Sequence, residues 1–95
     1  MGGRRRVIPI KERLERFGYT FDGYSYYGVG ENIGWGCGSY GAPDHIFKLW
    51  MHSSVHRHNI LKKEFRQVGI GVLTGTYKSC DHEAMYTVDF AFRRR

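Results

Sequence analysis

Between Gly18 and Gly41 the chain places eight of its thirteen glycines and five of its seven tyrosines. Glycine weakens a helix interior by about 1 kcal/mol per residue relative to alanine, so this stretch is excluded from helix. Extended backbone with tight bends and close approach of neighbouring chain is what such a composition allows, and one strand is expected within Tyr26 to Trp35. The remaining elements have to be arranged around it.

On its N-terminal side, Ile10, Leu14 and Phe17 recur at spacings of four and three. With Pro9 suited to a first turn and Gly18 to a left-handed stop, Val7 to Phe17 predicts a short amphipathic helix. Lys11, Glu12, Glu15 and Arg16 form its solvated face, Glu12 and Arg16 standing four apart in the favourable order. On its C-terminal side, Pro43 to Ser53 predicts a second helix with Asp44 at the positive end of the dipole. Its buried stripe is Ile46, Phe47, Leu49 and Trp50, and Ser53 and Ser54 mark its end. Val68 to Leu73 then alternates Val68, Ile70 and Val72 with Gly69 and Gly71, a strand with one apolar and one bare face. Met85 to Phe92 alternates as well, with Tyr86, Val88, Phe90 and Phe92 on one side and Thr87, Asp89 and Ala91 on the other. Thr74 to Ala84 suits the loop of a hairpin between them. Helix, strand, helix and hairpin make an α+β domain.

Ninety-five residues make one domain at most, and 41% hydrophobic with 16% aromatic residues is the composition of a globular chain. No apolar run approaches the roughly 20 residues of a membrane span, and no charged-then-apolar leader of secretory type is read in the chain. The net charge of +6 is concentrated: six of the fifteen basic residues are Arg4 to Arg6 and Arg93 to Arg95, and without them the interior is formally neutral. Residues 1–6 and 93–95 therefore read as solvated basic tails flanking a domain over 7–92, and no nucleic-acid partner is expected. Cys37 and Cys80 are too few for a metal knuckle. They either bridge, which would stabilise by about 4 kcal/mol on the loop-entropy estimate, or remain two buried thiols.

Candidate chemistry is confined to Trp50 to Leu61 and to Glu31, which is flanked by Gly30 and Asn32. Glu31 and His56 suggest a histidine–carboxylate cleft, with Tyr26, Tyr27 and Trp35 lining one wall. His52 and His56 are four apart, which on a continuing helix would put both on one face at a spacing suited to one metal ion. Ser53 or Ser54 could serve His56 as nucleophile, although a serine three residues before its base at a helix end needs an unusual turn to reach it. Each of these residues also has a plain reading, as a surface carboxylate or a hydrogen-bonded structural side chain.

Four blocks, in order and spacing, resemble a known family. They are Gly30-Glu31-Asn32-Ile33; Trp50-Met51-x-Ser53-x-x-His56-Arg57-x-Asn59-Ile60-Leu61; Phe65-x-x-Val68-Gly69-Ile70-Gly71-Val72; and Tyr86-Thr87-Val88-Asp89-Phe90. Together they are similar to the bacterial, SCP-like branch of the CAP superfamily of cysteine-rich secretory, antigen 5 and pathogenesis-related proteins, over about Arg13 to Phe92.

That resemblance implies an α-β-α sandwich with an antiparallel sheet, an extracellular or cell-envelope location, and a cleft lined by two histidines and two acidic residues. It further implies, for some branches, a divalent metal such as zinc. Carried over, Glu31 and His56 are the cleft residues, and Ser53 stands where a second acidic residue would be. The other histidine would fall near Gly2, where there are only Gly and Arg, so the domain reads as N-terminally truncated, without the family's long first helix. Arg57 and Asn59 would tie the loop after the helix, Asp89 would bond to backbone or to an arginine across the sheet, and Trp50, Ile60, Leu61, Phe65 and Phe90 would be core. The expected function is binding of a small lipid-like or glycan-like ligand, or of a metal, at Glu31 and His56. A histidine- or metal-assisted hydrolase is the alternative, and a truncated domain that self-associates through an uncovered face is the third.

Overall fold

The structure, a computed structural model, describes residues 9–77 and 79–95. The N-terminal basic run, Val7 at the expected helix start and Lys78 in the expected hairpin loop lie outside the described residues. The elements run α1 (Ile10–Arg16), β1 (Tyr26–Cys37), a 3-10 turn (Gly38–Gly41), α2 (Pro43–Met51), α3 (Ser54–Leu61), β2 (Gln67–Tyr77) and β3 (Cys80–Arg94). The strands form one antiparallel sheet in the order β1-β3-β2, so the C-terminal strand is central.

Register decides which residues share a face. Glu31 lies opposite Asp89, Ile33 opposite Thr87 and Trp35 opposite Met85; Val68 lies opposite Phe90 and Ile70 opposite Val88. The even positions of β1 are mostly glycine because α2 and α3 come down on them. A Cβ at Gly34 would sit 3.0 Å from Ile46 and from the Trp50 indole, and one at Gly30 would sit 2.8 Å from Asn59. α1 lies on the opposite, odd face, reaching Glu31 and Asp89 through Arg13. Helices on both faces of an antiparallel sheet give the α+β, α-β-α arrangement expected from the sequence.

The expected boundaries shift for identifiable reasons. Gly18, at φ 92°, stops α1 as anticipated, but Phe17 is turned to solvent. The helix starting at Pro43 ends at Met51, because Ser53 is extended (φ −108°, ψ 121°) and starts a separate helix, α3. Of the expected stripe only Ile46 is buried; Phe47 and Leu49 are half exposed, since among the described residues α2 packs on β1, the 3-10 turn and α3 but these leave its outer flank open. The hairpin strands run past the expected loop, with Thr74 paired to Ala84 and Gly75 to Glu83. Arg93 and Arg94 are not a tail but the end of β3, paired with Tyr27 and Tyr26. Cys37 and Cys80 form a disulfide that joins the end of β1 to the start of β3.

The buried apolar set is small: Phe21, Ile46, Cys80, Val88, Ala91 and Phe92. It lies between the helices, β1 and β3. The expected apolar face of β2 is not buried; Val68, Ile70 and Val72 are half or more exposed, because neither α2 nor α3 extends over that strand.

Candidate functional site

Glu31 stands on the odd face of β1, directly across the ladder from Asp89 of β3. Two carboxylates so placed repel, and the chain answers with a cation from α1. Arg13 Nη2 donates to Glu31 Oε2, and to Asp89 Oδ1 at 3.1 Å and Oδ2 at 3.3 Å. Burial, then the hydrogen bond and the charge of Asp89, push the Glu31 carboxyl up from 4.5 to about 7, against the lowering effect of Arg13. Near neutral pH the Glu31 carboxyl therefore takes up or releases a proton. Arg13 lies outside the expected solvated face of Lys11, Glu12, Glu15 and Arg16, and although an arginine is one of two partners expected for Asp89, this one is not singled out. A signal existed: at i+3 from Ile10 and one before Leu14, it falls on the inward stripe of α1, where a cation needs a carboxylate.

The second half of the site is built on α3. Ser53 holds the N-cap position, and its extended backbone presents the hydroxyl to the third helical residue. That residue is His56, whose Nδ1 lies 2.8 Å from Ser53 Oγ. The extended backbone of Ser53 supplies the turn that the spacing calls for; the pair stands at the N-cap and third helical positions, but the contact is side chain to side chain and no side chain caps the helix backbone.

Behind it a chain of amides locks α3 to β1. Asn32, fully buried, donates from Nδ2 to the His56 carbonyl at 3.0 Å. Asn59 Nδ2 donates to Asn32 Oδ1 at 2.9 Å and to the Glu31 carbonyl at 3.2 Å. The Trp50 indole N–H donates to the Ile33 carbonyl at 3.1 Å. Asn59 thus ties the helix to the strand rather than to its own loop, while Arg57 reaches back to the Met51 carbonyl at 3.4 Å.

Between the β1 edge and α2–α3 lies a groove of about 240 Å³, walled by Ile33, Trp35, Leu49 and Trp50 and bordered by Ser53 and His56. Trp35 is 62% exposed there, as is half of Leu49. Not every residue expected in the cleft is in it. Tyr26 and Tyr27 are neighbours on a strand and point to opposite faces, Tyr26 beside Phe92 (centroids 5.5 Å) and Tyr27 beside Phe21 (4.6 Å). One wall cannot take both. His52 is the exposed C-cap of α2, so the break before α3 removes the helical face it was to share with His56. Of the expected core residues, Leu61 is exposed, while Trp50, Ile60, Phe65 and Phe90 are partly buried.

A divalent cation does not fit this arrangement. The guanidinium of Arg13 already bridges the two carboxylates, His56 is turned to Ser53, and among the described residues no three or more His, Cys, Asp or Glu converge.

Residues 8–90 match the sequence profile of the CAP, or cysteine-rich secretory protein, family. The chain belongs to the CAP family. It is 40% identical over 60 residues to the uncharacterized protein YkwD of Bacillus subtilis (strain 168), a match that takes in 58% of this chain and 22% of that protein. No solved structure matches. CAP proteins are typically secreted, and no helix among the described residues is long and apolar enough to cross a membrane.

Proposed function

We propose that this CAP domain acts outside the cell as a binding module, holding a small lipid-like or glycan-like group in the groove between the β1 edge and α2–α3. The observation that carries this reading is the exposed indole of Trp35 set beside Trp50 and Leu49 in a concavity, with the Ser53–His56 pair as the polar end. An apolar wall with a few convergent polar groups is the usual make-up of a small-ligand site. At about 240 Å³ the groove suits one sugar ring or a short alkyl segment.

A hydrolase is the second reading, favoured by the 2.8 Å contact between Ser53 and His56. Against it, the carboxylate that would orient the imidazole is not supplied. Glu31 is bound to Arg13 and Asp89, and Asn32 contacts the backbone of His56 rather than its ring. The extended backbone of Ser53 at the start of α3 brings the two side chains together without any need of catalysis.

Titration with a short-chain alkyl glycoside below its micelle concentration, followed by intrinsic tryptophan fluorescence, tests the proposal. Saturable quenching is expected, lost in Trp35→Ala and weakened several-fold in His56→Ala. Equal response in wild type and Trp35→Ala ends the binding reading. Ester hydrolysis lost in both Ser53→Ala and His56→Ala, with folding intact, would put the hydrolase in its place.

A further inference from the structure

Away from the β1 groove, two shallow concavities share a wall made by Lys63 and Glu64. One, about 670 Å³, continues past Arg57 and Lys62; the other, about 400 Å³, runs between Arg66, Arg93 and Arg94. Six basic residues therefore line two adjoining concavities against one carboxylate. Arg93 and Arg94, neighbours on β3, point to opposite faces, Arg93 donating to the Thr20 carbonyl beside Tyr19, so five of the cations can face a common ligand. None of the six forms an ion pair with a described carboxylate, although Arg13 and Arg16 of the same chain do. Uncompensated cations repel one another, so a cluster of this kind is stabilised by an anion from outside.

The fold creates the cluster from three separate stretches. Arg57 belongs to α3, while Lys62, Lys63 and Arg66 lie in the connection that follows it. The Arg66 amide donates to the Ala91 carbonyl at 3.0 Å, which brings that connection alongside the end of β3. Arg93 and Arg94 lie there because β3 stays paired with β1 as far as Tyr26. Several of these side chains are also held in place by aromatic rings. Arg94 lies 4.8 Å from the Tyr26 centroid, Arg93 4.0 Å from Tyr19 and Lys62 5.3 Å from Phe65. Cations fixed in this way lose less conformational entropy when an anion arrives. The same contacts decide what kind of anion fits. Nucleic acids bind such grooves by stacking bases on aromatic faces, and here those faces are already covered by the chain's own cations.

We propose that the two concavities form one binding site for a linear polyanion bearing phosphate or sulfate esters on a non-aromatic backbone, such as a phosphorylated or sulfated glycan. The site is separate from the groove at β1 and stands independently of the function proposed for it.

Fluorescence-detected binding of short-chain inorganic polyphosphate across a salt series provides the test. Affinity should fall steeply with salt, as charge-dominated binding does. The double substitution Lys63→Gln/Arg66→Gln should weaken binding at low salt by tenfold or more and reduce the log–log salt slope by about 1–2, roughly one for each contact removed. Arg94→Gln should give a smaller loss of the same kind, and it remains informative if the double variant does not fold. Lys48→Gln, an exposed cation on α2 outside the concavities, should leave affinity unchanged. The proposal is overturned if Lys48→Gln weakens binding as much as the concavity variants, or if polyphosphate does not bind at low salt. Tighter binding of single-stranded DNA of equal charge would also overturn it, as would binding to anionic-lipid vesicles without binding to soluble polyphosphate.

Discussion

The two outer strands of the sheet pair with the same central strand, yet they meet the rest of the chain in different ways. Along β1, the outward carbonyls of Glu31 and Ile33 accept side-chain N–H groups from Asn59 and Trp50, Asn32 is fully buried between strand and helix, and the disulfide closes the far end. Along β2, every residue from Gln67 to Thr76 is exposed, and Val68, Ile70 and Leu73 are more than half exposed. One strand is built into a core and the other rests on main-chain pairing. Stability should accordingly be concentrated at β1–β3, and β2 should behave as an unprotected edge.

The largest effect that would break this contrast comes from the disulfide. Cys37 and Cys80 are 43 apart in sequence, and opening a loop of that length costs about 4 kcal/mol on the chain-entropy estimate. Reduction, or Cys37→Ala/Cys80→Ala, should lower Tm by roughly 15–30 °C in a domain of this size, as measured by circular dichroism. A drop of only a few degrees would show that the β1–β3 end is held by packing instead.

Next comes the carboxyl pair. Glu31 is raised from 4.5 to about 7 in the folded protein, so its stabilising contribution is complete below about 4.5 and is lost as pH rises through about 7. Urea midpoints should therefore fall over that window. Glu31→Gln should flatten the dependence, whereas Arg13→Met, which leaves both carboxylates without their cation, should steepen it. A wild-type profile as flat as that of Glu31→Gln would mean that the pair carries no linked proton.

The smallest effects define the contrast itself. Asn59→Ala strands the buried Asn32 carbonyl oxygen and should cost about 2 kcal/mol, within the range for an unsatisfied buried acceptor. Ile70→Ala on the open strand should stay within about 0.5 kcal/mol, as determined by the same urea unfolding. Equal losses at the two positions would place β2 inside the cooperative core.

Local periodicity carried the secondary structure well. The glycine-rich stretch is a strand, the pattern from Pro43 is a helix, and the alternation at Val68–Val72 and Tyr86–Phe92 marks the hairpin. What escaped depends on partners distant in sequence. The existence of α3 turned on one extended residue, Ser53, whose hydroxyl meets the His56 side chain rather than capping the helix backbone. The role of Arg13 turned on two carboxylates 18 and 76 positions away. Arg93 and Arg94 read as a tail because charge alone does not reveal that Tyr26 and Tyr27 lie across from them. The expectation of one cleft holding Glu31 and His56 did not anticipate that Glu31 contacts Arg13 and His56 contacts Ser53, because the face of a strand residue depends on a register that no short-range pattern specifies.

The position of β3 has a consequence for how the protein comes into being. The central strand is the C-terminal one of the three, and both neighbours pair with it and not with each other. During vectorial synthesis or translocation, residues 26–37 and 67–77 emerge with no template to pair with, so no sheet can form until the segment from Cys80 onward is available. Such a chain folds late and through long-range contacts, so its assembly waits on the last segment to emerge.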